Sequence, residues 1–215
     1  INIQTGQPTI LDFDMQRISQ RINIVFNIRT EGNIKREDLA APIIELSGAC
    51  GRFNIADACL DTTRLYRMAH QVQPDEFTQT GEGTYRCVVH FHTLGVIPSA
   101  AKGHLNGPGI LQVALQVSTP QLDSSGTPVV DEEGNPVKNS RYIYGAINPY
   151  DELTAAQLIE VRDGKIYLRY SKEDVNIEIT TPLVIKADQI VPNDTGMGWQ
   201  PHDPTNPDDD IIIEI

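Results

Sequence analysis

Arg21-Ile22-Asn23-Ile24-Val25-Phe26-Asn27-Ile28 decides how the rest of the chain is read. Ile22, Ile24, Phe26 and Ile28 fall on one side and Arg21, Asn23 and Asn27 on the other. That is the period-two pattern of a strand with one buried face. Working outward, Tyr85, Cys87, Val89 and Phe91 alternate with Arg86, His90 and His92 between Thr84 and Thr93. Leu111, Val113, Leu115 and Val117 alternate with Gln112, Ala114 and Gln116 between Ile110 and Val117. Pro42 to Gly48 reads as a strand closed by a turn at Gly48 and Gly51, since glycine punctuates strands. Arg141 to Ala146, Lys165 to Tyr170 and Val175 to Ile179 are further candidates. Ile211-Ile212-Ile213-Glu214-Ile215 is a β-branched run with strong strand preference.

Two short helices break the pattern. Lys35 to Leu39 follows Asn33 as a cap and makes about one turn. Tyr150 to Ile159 carries acidic residues at its start, where the helix dipole favours them. Ser118 to Ser140 and Asn193 to Asp210 are polar and rich in Gly and Pro, the first a long hairpin or exposed loop. No repeat is visible at a solenoid or propeller period. Many short strands with few helices predict an all-β fold, an antiparallel β-sandwich with long loops. Residues 1–12 read as an extended lead-in and 13–215 as the sandwich domain.

Composition sets the classes of function. The chain has 215 residues, with 17 Lys and Arg against 29 Asp and Glu, a formal charge of −12. That sign repels a phosphate backbone and an anionic membrane face, which argues against nucleic-acid partners. No run approaches the roughly 20 apolar residues of a membrane-spanning helix, so no transmembrane segment is expected. The chain begins at Ile1 instead of Met, which reads as a trimmed or excised piece of a longer precursor. Cys50, Cys59 and Cys87 are an odd count, so at least one thiol is free or pairs between chains. A Cys50–Cys59 bridge across a hairpin is one reading. Three small buried residues is the other.

No residue pattern selects a catalytic set: there is no Gly-x-Ser-x-Gly elbow, no phosphate loop and no flanked nucleophilic cysteine. A hydrolase built from distant residues stays open as a reading, because paired carboxylates are a spatial feature. His90 and His92 have His-x-His spacing but lack a third ligand nearby, so two surface histidines explain them. The acidic stretches Asp203–Asp210 and Asp131–Asn135 lack calcium-loop spacing. Neither a cofactor nor a metal is expected. Trp199, the only tryptophan, sits in Gly196-Met197-Gly198-Trp199 and is either a recognition residue able to stack on a sugar or a core residue of the sandwich.

Three patches carry a resemblance. Leu11-Asp12-Phe13-Asp14-Met15-Gln16-Arg17-Ile18, followed by Ile22 to Ile28, resembles the apolar–Met–x–Arg opening of a fimbrillin-type domain. Ile43 to Gly48 with Phe53-Asn54-Ile55-Ala56 is similar to a hairpin of such domains. Gly196 to Trp199, through an acidic loop to Ile211–Ile215, resembles their close. The family is the Bacteroidetes fimbrillin-like superfamily, and within it the anchor or accessory subunits and related surface lipoproteins. The resemblance implies a transthyretin-like sandwich and export to the cell surface and outer membrane, with a lipid anchor carried by the precursor. It also implies adhesion or assembly of a fimbrium (pilus) by exchange of β-strands with other fimbrial subunits or surface proteins.

The lipidated cysteine and first strands expected upstream are absent, and the strands suffice for one sandwich where the family usually has two. Ile211, Ile212, Ile213, Glu214 and Ile215 have the pattern of an exchanged segment, or of an ordinary last strand. The expected protein is therefore a non-catalytic structural or adhesive one. A carbohydrate-binding module of a surface glycan-handling complex is the alternative, and a phage structural protein fits the same composition.

Overall fold

The computed structural model describes residues 18–32, 34–169, 174–187 and 189–202. In chain order the strands are β1 (Gln20–Glu31), β2 (Ile43–Asn54), β3 (Cys59–Gln71), β4 (Phe77–Gly81), β5 (Thr84–Thr93), β6 (Leu111–Pro120) and β7 (Lys138–Ile147). Helix α1 (Tyr150–Ala155) leads to β8 (Ile159–Arg162), β9 (Lys165–Leu168), β10 (Val175–Lys186), β11 (Gln189–Ile190) and β12 (Gln200–Pro201). They form a five-stranded sheet, β11-β10-β1-β5-β4, and a seven-stranded sheet, β12-β7-β6-β2-β3-β9-β8. The expected all-β sandwich is what the chain builds.

The core lies between the sheets and comes from the alternating faces. Ile22, Ile24, Phe26 and Ile28 of β1 and Tyr85, Cys87, Val89 and Phe91 of β5 point in from one sheet. Ile44, Leu46, Leu111, Val113, Leu115 and Val117 point in from the other. Burying a side chain of this size stabilises the fold by about 1.5–3 kcal/mol relative to leaving it in water.

One pairing departs from the antiparallel expectation. β1 runs antiparallel to β5 but parallel to β10, with Ile22 opposite Val175 and Ile28 opposite Leu183. The register slips between Phe26 and Ile28, where β10 spends extra residues around Thr180-Thr181-Pro182. Pro182 has no N–H to give to a ladder, so a bulge is where a strand tolerates it.

Gly48 and Gly51 lie within β2 and do not end it. The register with β3 shifts on either side of Ala49 and Cys50, and Gly48 takes φ +85°, a conformation cheap only for glycine. The segment 94–110 lies against this bulge: Ile97 N–H donates to Gly48 O at 2.9 Å and Cys50 N–H to Gly95 O at 2.9 Å. A side chain at Gly48 would stand 2.7 Å from the backbone of Gly109 and of Ile97. Beyond the bulge, Cys50, Leu60 and Leu168 form a small second core under the β8–β9 hairpin.

Both expected helices are shorter than their sequence windows. Residues 36–38 form one 3₁₀ turn, with the Lys35 N–H bonded to Asp38 Oδ2 at 3.0 Å; the cap expected at Asn33 lies outside the described residues. α1 ends at Ala155, Gln157 adopts φ +49°, and Ile159 already belongs to β8. The lead-in 1–12, the opening patch up to Arg17, Tyr170, the acidic stretch Asp203–Asp210 and Ile211–Ile215 also lie outside the described residues.

Candidate functional site

Three features on the surface combine chemistry with a defined geometry: a histidine–glutamate clamp, a groove with its adjoining strand edge, and an aromatic strip on the seven-stranded sheet. The clamp sits where the chain crosses from β3 to β4. Glu76 is fixed in this crossover by its own N–H to Gln73 O at 3.0 Å, and Gln73 N–H donates to its Oε2 at 2.8 Å. His70, near the end of β3, places Nε2 2.8 Å from the same oxygen, and His90 on β5 places Nε2 3.5 Å from Oε1. The other nitrogen of His90 is 2.7 Å from Asn23 Oδ1, and Asn23 Nδ2 donates to Asn176 Oδ1 at 2.9 Å.

The network thus ties the crossover to three strands of the five-stranded sheet. Burial pushes the Glu76 carboxyl up, but the Gln73 N–H and the two imidazoles outweigh it and hold its pKa below the usual value. His90 and His92 share the outer face, as the alternation requires, but His92 stands opposite Arg21 and takes no part. Among the described residues, no group of three His, Cys, Asp or Glu side chains is placed to hold a metal ion.

The groove, of about 850 Å³, lies where the β6–β7 hairpin passes the 3₁₀ turn. Its apolar lining includes Ile34, Pro120 and Leu122, and its rim mixes Lys35, Lys138, Arg141 and Lys186 with Glu31, Glu37 and Asp38. At its floor Lys138 Nζ donates to Asp38 Oδ1 at 2.8 Å. Burial raises the Asp38 pKa, while Lys138 and the Lys35 N–H lower it by more, so the carboxylate stays charged well into acid.

The hairpin arm beside the groove holds a pattern shorter than the repeat periods searched in the sequence. Leu122-Asp123-Ser124-Ser125-Gly126-Thr127-Pro128-Val129 is followed directly by Val130-Asp131-Glu132-Glu133-Gly134-Asn135-Pro136-Val137. Each unit folds the same way. Asp123 Oδ1 accepts the N–H groups of Ser125 and Thr127 at 2.8 and 2.9 Å, and Asp131 Oδ1 accepts those of Glu133 and Asn135 at 3.0 and 2.8 Å. Gly126 and Gly134 take φ +82° and +84°. Three bonds join the units in a ring: Gln121 N–H to Val137 O, Val137 N–H to Val129 O and Val129 N–H to Gln121 O, each 2.8 Å. Asp131 therefore serves as a turn residue, its Oδ1 filled by two backbone donors.

Next to the arm, the seven-stranded sheet leaves an edge open among the described residues. β12 covers β7 only at Ala146 and Gly145, and His202 N–H donates to Tyr144 O at 3.0 Å. From Lys138 to Ile143, β7 has no described strand on its outer side. On the sheet's outer face Tyr142 and Tyr144 stack at 6.3 Å with their planes 24° apart.

Trp199 resolves its two readings in favour of the core. It is 1% exposed, packs on Phe26 at a ring distance of 5.2 Å, and its Nε1–H donates to Thr181 O at 3.0 Å. The β10 bulge frees that carbonyl, so the indole N–H is satisfied and no face is left for a sugar. The three cysteines are free and buried; Cys50 stands opposite Leu65 and Cys59 opposite Asn54, so the suggested bridge does not form. Desolvation pushes the Cys87 thiol up to about 12 and that of Cys50 to about 11, far from the thiolate a nucleophile needs. Of these features the sequence singles out only His90, as half of a His-x-His pair, and Asp131–Asn135, as an acidic stretch; the clamp, the groove and the pairing of the turn units are not marked, although the eight-residue repeat is there to be read. No helix among the described residues is long and apolar enough to cross a membrane.

No family model, curated protein or solved structure matches the chain.

Proposed function

We propose that this protein is a non-catalytic structural or adhesive subunit of the cell surface, of the fimbrial anchor or accessory kind, that joins its neighbours by strand addition. The observation that carries the reading is the outer side of β7 from Lys138 to Ile143, where no described strand pairs with it, beside the groove lined by Ile34, Pro120 and Leu122. An unpaired edge is a row of backbone donors and acceptors that an extended segment can complete. The chain carries a segment of matching chemistry: Asp208-Asp209-Asp210 directly before Ile211-Ile212-Ile213-Glu214-Ile215. Its isoleucines suit the apolar lining of the groove. A copy of Ile211–Ile215 pairs with β7 of the next subunit in this reading. The transthyretin-like arrangement, export and a lipid-anchored precursor belong to the same reading and draw on the fimbrillin resemblance.

Deleting Ile211–Ile215 from the full chain tests it. The expected product is a folded monomer by circular dichroism and sedimentation that no longer assembles with intact subunits. Unfolding on deletion would make the segment part of its own core, and undiminished assembly would remove it from the joint; either result overturns the reading.

A further inference from the structure

We propose that Leu11 to Arg17 of this same chain lie along the open side of β3 and fill the apolar pocket at the entrance to β1. β3 pairs with β2 from Cys59 to Gln71, but on its other side β9 meets it only at Leu60, opposite Ile166. From Thr62 to Gln71 no described strand borders that side. Alternate N–H and C=O groups along such a stretch point away from the paired neighbour and can take a further strand.

Beside this edge lies a pocket of about 340 Å³ whose walls come from both sheets. Ala49, Cys50 and Met68 belong to the seven-stranded sheet, and His92 and Thr93 to the five-stranded one. Met68 is half-buried against the main core, while Leu94, also in the wall, packs on the small second core. The pocket therefore sits over the seam between the two cores, where added apolar side chains would join them.

Continuity of the chain identifies the occupant. Ser19, directly before β1, is itself part of the pocket wall, and Ile18 next to it is 48% exposed. The residues before Ser19 thus start from the pocket. Their sequence is amphipathic: Leu11, Phe13 and Met15 alternate with Asp12, Asp14 and Gln16, the period of a strand with one dry face. Seven extended residues at about 3.3 Å each reach about 23 Å, which matches the run of β3 from Leu65 to Gln71.

Tethering favours this segment over a second molecule. A short tether holds its segment at an effective concentration of about millimolar, so the surface is covered before another chain can reach it. The C-terminal segment leaves instead from β12, four strand positions from β3 across the same sheet. The two surfaces are separate, and this proposal does not depend on strand addition at β7.

NMR on the full-length wild-type protein tests it. Nuclear Overhauser contacts are expected from the Phe13 ring and the Met15 methyl to the Met68 and Leu94 methyls. The β3 amides that face away from β2 should be protected from hydrogen exchange. Phe13→Ser and Leu11→Ser should each speed exchange of those amides at least tenfold, whereas Asp12→Ser on the polar face leaves it unchanged. The wild-type contacts need no variant and keep the test intact if a substitution unfolds the domain. Absence of contacts between the segment and the pocket would overturn the proposal. So would contacts seen only between differently labelled molecules in a mixed sample, which would make the occupant a second copy.

Fast exchange of the outer β3 amides in the wild type would equally remove the segment from the edge. Assembly through Ile211–Ile215, read by sedimentation, should be unaffected by Phe13→Ser, so failure of one reading leaves the other standing.

Discussion

β1 and β3 differ by one residue in length, 12 against 13, yet they are held in place by different means. β1 lies in the middle of its sheet, and its inward residues Ile22, Ile24, Phe26 and Ile28 are all fully buried. β3 buries only Cys59 and Leu60, at its start, and the rest of its length is half or fully exposed. Its pairing with β2 runs from Ile43↔Gln71 to Asn54↔Cys59 across two register shifts. One strand is therefore specified by its side chains and the other mainly by backbone pairing to a neighbour that a glycine bulge has bent.

If that contrast is right, the largest loss should come from the β1 side. Phe26→Ala removes a fully buried ring against Trp199 and should cost about 3–5 kcal/mol in urea denaturation. A loss below about 1 kcal/mol would mean that the core does not depend on β1. Next, Gly48→Ala should cost about 2 kcal/mol, because φ +85° strains any other residue and the new Cβ meets the Gly109 and Ile97 backbone at 2.7 Å. That substitution leaves the side-chain core untouched and so measures the bulge alone.

The clamp on the β3–β4 crossover gives a smaller effect that depends on pH. Glu76 has an ordinary pKa of 4.5 and a lower one in the folded protein. Its ionised form therefore stabilises the fold fully above 4.5, and the contribution disappears as pH falls through the folded value. Glu76→Gln should be less stable than wild type near neutrality and converge with it in acid; a gap that persists below the folded value would assign the clamp a packing role instead. The smallest effect is expected on β3, where Tyr66→Ala should change stability by less than about 1 kcal/mol, since the ring is 37% exposed. A larger loss would show that β3 contributes side-chain packing after all.

How much was legible in the sequence follows the same division. β1, β5 and β6 could be read because each has one wet and one dry face, and alternation records that directly. Cys59–Gln71 could not, since Thr62-Thr63-Arg64 and Tyr66-Arg67 show no apolar period and the strand presents little to the core. Gly48 and Gly51 were read as a strand end for the same reason: a turn and a bulge use the same glycine conformation, and only the partner strand tells them apart. The helix window Tyr150 to Ile159 overruns α1 into the first residue of β8 because the reversal at Gln157 depends on where β9 lies. For the candidate sites, the edge of β7 and the strip around Tyr142 needed the strand order, whereas the twin turn units needed only a shorter repeat period.

The order of residues alone determined the all-β class, the inward faces of the central strands and the acidic surface, because these depend on alternation and net charge, which are properties of neighbours along the chain. Tertiary structure decided the parallel pairing of β1 with β10, the burial of Trp199 on the carbonyl that the Thr181 bulge releases, and the meeting of His70, Glu76 and His90. Each of these joins residues distant in sequence, and contacts of that kind are fixed by how sheets stack and where their register slips, which no local pattern encodes.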